Sequence, residues 1–336
     1  MQQDASVAVL LATYNGGRFV HAQITSLKEN RTPFVLHWLD DHSTDDTREA
    51  VRTSARSSNI DLRECHQPHH IGYPGSFFRL LKCIEADVYL FCDQDDIWQP
   101  GKIDVAVADL LPDTNAPALC FSDPLVFREN RPERLRRMSA ITSMKSPAAV
   151  QRPGMFMVCP AMGHAIGITR PVRDILLGHY DIACKYAAGH DTWLYLVANA
   201  TGTTRMLPDA PTTLYRLHGK NTYGGAFNLL GWRSIAHAAP RWRLQQAIRR
   251  WVARQATGFC LAAPMLPPGP KLDRLLTAAQ LITKLDRRQS LAELVRLARL
   301  DAIPPSAEFV AWLTMTCLCS SAKPSTEWLA ARASPQ

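Results

Sequence analysis

VYLFCDQDDIW, residues Val88–Trp98, joins an unbroken apolar run to a burst of carboxylates. Val88–Cys92 has no polar face to show to water, and a run of that length buried on both faces belongs inside a parallel sheet. Asp93, Asp95 and Asp96 follow at once, at the carboxyl end of the strand, where open α/β sheets bind their ligands. Two earlier runs repeat the pattern: Val7–Ala12 (VAVLLA) ends in Thr13-Tyr14-Asn15-Gly16, and Phe34–Leu39 ends in Asp40-Asp41-His42-Ser43. Between them Arg18–Glu29 carries Val20, Ile24 and Leu27 at helical spacing, which makes a βαβ unit. Ser43-Thr44-Asp45-Asp46 is a capping signature for a second helix. The three polar clusters are therefore expected to converge on one crevice.

Two carboxylates one residue apart, Asp93 and Asp95, suit a divalent cation, or divide the work between metal and a sugar or ribose hydroxyl. Oxygen donors favour Mg²⁺ or Mn²⁺, which complete their shells with water and substrate phosphates. The plain structural alternative is a solvated turn before Trp98-Gln-Pro-Gly101. Asp41 can accept a hydrogen bond from the imide N–H of uracil or thymine; an Asx turn capping the next helix explains it equally well locally. Neither G-x-G-x-x-G nor G-x-x-x-x-G-K-[ST] occurs, which disfavours a dinucleotide fingerprint and a P-loop. A bound nucleotide would depend on the strand-end loops and a metal. His66-Gln-Pro-His-His70 reads as solvated loop histidines rather than a metal site.

The chain has 336 residues, 46% hydrophobic and 20% charged, values of a globular protein. No window approaches the roughly 18 apolar residues of a membrane span, and the N-terminus lacks the basic n-region of a signal peptide, so a cytoplasmic protein is expected. Nine cysteines without a C-x-x-C read as reduced, mostly buried thiols. The net charge of +8 is uneven: residues 227–336 hold 15 Lys and Arg against 6 Asp and Glu, leaving 23 against 24 for the rest. Chemistry is expected in front and electrostatic association behind. Nucleic acid is an unlikely partner, since no zinc-finger spacing or RNP-like motif appears. Residues 120–225 give a strand at Leu119–Ser122, a basic loop over Arg128–Lys145, and helices near Pro171–Leu177 and Thr192–Asn199. Beyond Gly225 the pattern is helical, broken at Pro264–Pro270 and Pro304-Pro305.

Ala12-Thr-Tyr-Asn-Gly16, Leu39-Asp-Asp-His-Ser-Thr-Asp45 and Phe91-Cys-Asp-Gln-Asp-Asp-Ile-Trp98, in this order, resemble the nucleotide-sugar half of family 2 glycosyltransferases. The form D-Q-D-D-I-W before Pro100 and Lys102-Ile103 looks most like bacterial rhamnosyltransferase-like members. Gly189-His-Asp-Thr-Trp-Leu194 and Leu214-Tyr-Arg-Leu-His-Gly-Lys-Asn-Thr-Tyr-Gly224 are similar to the family's acceptor-side H-D-W and Y-R-x-H-x-x-N segments. The resemblance spans about residues 5–225. It implies a GT-A fold: an α/β architecture with a Rossmann-like nucleotide-sugar half and a mixed central sheet, followed by a basic helical C-terminal region. Residues 1–225 would form the glycosyltransferase domain, 1–120 the donor half and 121–225 the acceptor half, with 226–336 as the helical region.

Carried over by position, the resemblance implies that Thr13, Tyr14 and Asn15 line the nucleoside pocket and that Asp41 reads the base. Asp93 would contact ribose or sugar and share the metal with Asp95, and Asp191 would be the catalytic base. His218 matches the Y-R-x-H segment and would face the diphosphate or metal; a packed loop histidine is its alternative. An N-cap of the following helix is the alternative for Asp191. His42 after the Asp pair and the split Thr192-Trp193 depart from the family pattern, and they bear on donor and acceptor identity. The implied activity is inverting, Mg²⁺- or Mn²⁺-dependent transfer of a sugar, L-rhamnose from dTDP-rhamnose in the first instance, to a cell-surface glycan such as an O-antigen or a lipid-linked acceptor. A UDP-hexose donor and a non-catalytic sugar-nucleotide-binding scaffold are the alternatives. Arg241–Ala256 reads as a cationic amphipathic helix, suited either to an anionic membrane surface or to packing on the catalytic domain.

Overall fold

The computed structural model describes residues 5–141, 161–207, 209–210, 212–218, 238–288 and 296. In chain order the first half runs β1 (Val7–Thr13), α1 (Gly17–Leu27), β2 (Val35–Asp40), α2 (Thr47–Ser57), β3 (Leu62–Glu64), α3 (Gly75–Cys83), β4 (Val88–Asp93), β5 (Ile97–Trp98), α4 (Lys102–Leu110) and β6 (Ala118–Ser122). Then come β7 (Leu125–Arg128), β8 (Arg131–Arg137), α5 (Met138–Ile141), β9 (Ile166–Thr169), α6 (Arg170–Gly178), α7 (Tyr180–Tyr186), α8 (His190–Thr201), β10 (Thr203–Leu207) and β11 (Thr213–Leu217). Two long helices, α9 (Ala238–Ala262) and α10 (Pro270–Arg288), close the described chain.

The main sheet has the order β10-β6-β9-β4-β1-β2-β3. Its pairings are parallel except where β9 enters between β4 and β6, antiparallel to both. Strand parity divides the core: Val7, Val9, Leu11, Val88, Leu90 and Cys92 pack on one face with α1, α2 and α4, while Ala8, Leu10, Tyr89 and Phe91 pack on the other with α3, α6 and α8. This two-sided demand is why β1 and β4 read as continuous apolar runs. Burying each such side chain contributes about 1.5–3 kcal/mol. A smaller sheet, β5-β11-β7-β8, carries the loop after Asp95 across to His218.

Sequence and structure part company over Arg128–Lys145. In place of a loop, β7 and β8 form an antiparallel hairpin, with residues 142–145 outside the described stretch. Every residue of β8 is exposed, so RPERLRR shows no apolar alternation. The cysteines are also less uniform than expected. The described six are free thiols, of which Cys92 and Cys120 are buried while Cys83 and Cys184 are exposed.

The C-terminal helices share a core with α8. Val252, Ala256 and Phe259 of α9 and Leu272, Leu275 and Ile282 of α10 pack with Leu196 and Ala200 of α8. Gly258 is where α9 meets α7 most closely, since a Cβ there would run into the Tyr186 side chain. Over residues 250–256 the Arg241–Ala256 segment thus turns its apolar side inward. Among the described residues no helix is long and apolar enough to cross a membrane.

Candidate active site

The carboxyl ends of β1, β2 and β4 are tied into one floor by long-range hydrogen bonds. The Tyr14 N–H donates to Gln94 Oε1 (2.9 Å) and Gln94 Nε2 returns a bond to the Tyr14 carbonyl (3.1 Å). Asn15 sits in the left-handed region at φ 49°. Its N–H donates to Ser43 Oγ (2.9 Å) and its Oδ1 accepts the Thr44 N–H (2.8 Å). Thr13 is buried behind this floor, donating to Asp40 Oδ1 (3.0 Å) and accepting from Trp38 Nε1 (2.9 Å). Burial pushes the Asp40 carboxyl up, but hydrogen bonds from Ser43, Arg48 and Thr13 outweigh it and hold it below the ordinary range. Thr13 and Asn15 therefore shape the loop, while Tyr14, exposed and tilted against the His70 ring at 4.6 Å, presents a face to the crevice.

Asp41 is buried, and it pins the loop that precedes α3. Its Oδ1 accepts the Ile71 N–H (2.9 Å), and its Oδ2 accepts the Gly72 N–H (2.7 Å) and the Ser76 hydroxyl (3.3 Å). His70, an exposed loop histidine as expected, also places Nδ1 3.1 Å from Oδ2. His66 and His69 are exposed, as expected. A carboxylate oxygen has two lone pairs, so Oδ1, with one donor, has capacity for a second.

The β4 end gathers the acidic groups. Asp93 makes no side-chain hydrogen bond or ion pair among the described residues, and loss of hydration together with the charges of Asp95 and Asp191 pushes its carboxyl up to about 8. Asp95 Oδ2 meets His218 Nε2 at 2.7 Å, and the His218 ring stacks on Phe19 at 4.6 Å. Asp96 is wholly buried and accepts the Arg216 N–H (3.1 Å); burial pushes its carboxyl well up. Lys102, buried beneath, donates to the His164 carbonyl (3.0 Å) and sits over the Trp98 ring; burial lowers its ammonium to about 7. In the first turn of α8, Asp191 accepts the Thr192 N–H (2.7 Å) and the Tyr73 hydroxyl (3.4 Å) at Oδ1, and burial raises its carboxyl. The helix is capped by Gly189 rather than Asp191, a residue any Cβ of which would strike the Tyr73 hydroxyl. The neighbouring His190 is a core residue, wedged against Phe77 and Phe91.

Among the described residues no three His, Cys, Asp or Glu side chains converge into a complete cation cage. Asp93 and Asp95 fit a different kind of ion, one held by one or two carboxylates and completed by water and phosphate oxygens. Gln94 and Tyr73 escape a sequence reading, because their partners lie 80 and 118 residues away. Lys102 stands in the P-x-K segment but gives no local sign of its burial.

Residues 8–166 match the Glycosyl transferase family 2 model. The dTDP-rhamnosyl transferase RfbG of Shigella flexneri is 25% identical over 260 residues, covering 74% of this chain and 82% of that protein. Among solved structures, S. aureus TarS 1–349 in complex with UDP aligns over 95% of this chain and 93% of its own, with TM-score 0.51 and 16% identity. The mannosyltransferase PcManGT from Pyrobaculum calidifontis, in complex with GDP-Man and Mn²⁺, aligns over 96% and 89%, with TM-score 0.53 and 15% identity. These likenesses show the fold, which is GT-A.

Proposed function

Because this chain is a glycosyltransferase of family 2, we propose that it transfers a sugar, L-rhamnose from dTDP-rhamnose, with inversion to a saccharide acceptor. The observation that carries this reading is the Asp93 carboxyl at the end of β4, without a side-chain partner among the described residues and close enough to Asp95 and Asp191 to feel their charges. Three acidic groups around one crevice suit a reaction with a cationic sugar centre and a departing diphosphate.

Tyr14 and Asp41 bind the nucleoside, Asp41 through its remaining lone pair. Thr13 and Asn15 act from behind, holding the loop that presents them. Asp93 orients ribose or sugar, and Asp95 with His218 holds the diphosphate end. Asp93 and Asp95 would hold Mg²⁺ or Mn²⁺, which when bound neutralises charge on the leaving nucleoside diphosphate. Asp191 takes the proton of the acceptor hydroxyl as that oxygen bonds the anomeric carbon. Tyr73 and the Thr192 N–H keep its carboxylate aimed. The relative from Shigella flexneri supports both the rhamnose assignment and a dTDP donor. Residues 1–225 are assigned to the transferase domain and 226–336 to a basic appendage. Its excess of positive charge suits attachment to an anionic membrane, with lipid-linked glycan acceptors at hand and a cytoplasmic-face location for the enzyme.

A panel of dTDP-rhamnose and UDP-hexoses, scored by nucleoside diphosphate release with and without EDTA, tests the reading. Metal-dependent release from one donor is expected, with Asp95→Asn inactive yet folded. Nucleotide binding without release from any donor would favour the scaffold alternative, and full activity in EDTA would remove the metal.

A further inference from the structure

Against the loop that anchors on Asp41 and touches Asp191 through Tyr73 lies a cavity of about 590 Å³, within the range of small-molecule clefts. The loop Gln67–Gly75 forms its inner wall, with Tyr73 between the cavity and the Asp191 carboxylate. Tyr180 and Tyr186 of α7 and Trp251 of α9 supply aromatic surface, and Arg79 of α3 and Arg254 of α9 supply charge. Among the described residues no Asp or Glu lines it. Two further cations stand at its border: Lys82 Nζ lies 4.5 Å from the Tyr180 ring centroid and Lys185 Nζ 5.4 Å from that of Tyr186. Arg254 spends its Nε (3.0 Å) and its Nη2 on the Lys185 carbonyl, which leaves Nη1 for a ligand. Arg79 Nε is buried without a hydrogen-bond partner, a charged donor left unmatched in a lining that offers it no anion.

Sugars present apolar C–H faces that lie on aromatic rings, and planar guanidinium groups bind phosphate oxygens with directed pairs of N–H bonds. The cavity combines both beside the proposed base. We propose that it is the acceptor site and that it selects a phosphorylated saccharide, the sugar against Tyr180, Tyr186 and Trp251 and its phosphate between Arg79 and Arg254. The inference rests on the transfer reading above and adds the chemical class of the acceptor. An acceptor hydroxyl passing Tyr73 reaches Asp191. Its oxygen bonds the anomeric carbon, the bond from that carbon to the nucleoside diphosphate breaks with its electron pair leaving on the diphosphate, and the hydroxyl proton goes to Asp191. A soluble sugar phosphate and the diphosphate headgroup of a lipid-linked saccharide offer the same chemistry to the arginines.

The test is calorimetric titration of the full chain, its donor pocket first filled with dTDP and Mg²⁺. Three probes are used: glucose 1-phosphate, methyl glucoside, and glucose on a farnesyl diphosphate. The phosphorylated probes should bind at least about tenfold more tightly than methyl glucoside. Arg79→Gln and Arg254→Gln should each remove most of that preference, and Arg254→Lys should restore part of it. Tighter binding of the farnesyl probe than of glucose 1-phosphate assigns the phosphate to a lipid headgroup, and equal binding assigns it to a soluble acceptor. Equal affinity for charged and neutral sugar, or a preference untouched by both arginine variants, overturns the proposal. The preliminary dTDP titration keeps the two readings apart: a chain that binds no nucleotide contradicts glycosyl transfer, whereas one that binds dTDP but ignores phosphate contradicts the acceptor assignment alone. Because Arg254 is exposed, its replacement does not disturb the core.

Discussion

Asp191 and His190 are neighbours on one helical turn, and the same loss of water pushes them in opposite directions. Burial raises the Asp191 carboxyl and lowers the His190 imidazole to about 3. For Asp191 the result is a stronger base. Transfer requires its ionised form, so the rate should fall as pH drops through a value above the ordinary carboxylate range. Asp191→Asn should cut kcat by about 10²–10⁴ and erase that acid limb, with nucleotide affinity unchanged. A pH profile of kcat beside a nucleotide titration measures both; equal loss of nucleotide binding would make the residue structural. For His190 the result concerns stability. Below about pH 6.5 the unfolded chain gains a proton on this residue that the folded chain refuses, so stability is lost at up to about 1.4 kcal/mol per pH unit. His190→Phe, seated between Phe77 and Phe91, removes that loss. By pH 5 the variant should have gained about 2 kcal/mol on the parent relative to pH 7.5, read from denaturant unfolding at the two values.

At the level of elements, α8 is the joint between chemistry and appendage: its first turn carries Asp191, and its later turns bury Leu196 and Ala200 against α9 and α10. Phe259 fills that joint with no exposure. Phe259→Ala should cost about 3–5 kcal/mol, seen as a lower denaturant midpoint, and a loss below about 1 kcal/mol would mean that the helices contribute little to folding. The elements differ in how openly the sequence declares them. β1, β2 and β4 are legible because burial on two faces demands unbroken apolar runs, and their ends mark the acidic floor. β8 is hidden because an exposed edge strand needs no pattern, and β9 because four residues, IGIT, carry too little signal to announce a reversed strand. The site divides in the same way. Asp41, Asp93, Asp95 and Asp191 are visible as carboxylates after strands or before a helix. The parts played by Gln94, Tyr73 and His70 follow from contacts across the chain that no local spacing encodes. Thr13 and Asn15 are found at the right place, with their side chains turned to holding the loops.

For the whole molecule, the loop Gln67–Gly75 matters more than its length suggests. Its backbone N–H groups lie on Asp41, the proposed reader of the base, and its Tyr73 hydroxyl lies on Asp191. One short segment therefore touches both halves of the reaction. A nucleobase taking the remaining lone pair of Asp41 would share the carboxylate that anchors the loop, and any adjustment there would be passed along the chain to Tyr73, which lies between Asp191 and the neighbouring cavity. The proposed function then predicts an ordered reaction: the nucleotide sugar enters first, the acceptor second, and the nucleoside diphosphate leaves last. Steady-state measurements should show the nucleoside diphosphate inhibiting competitively against the donor and non-competitively against the acceptor. Tyr73→Phe should blur that pattern toward random entry, since without its hydroxyl the segment no longer reports to Asp191 whether the first substrate has arrived.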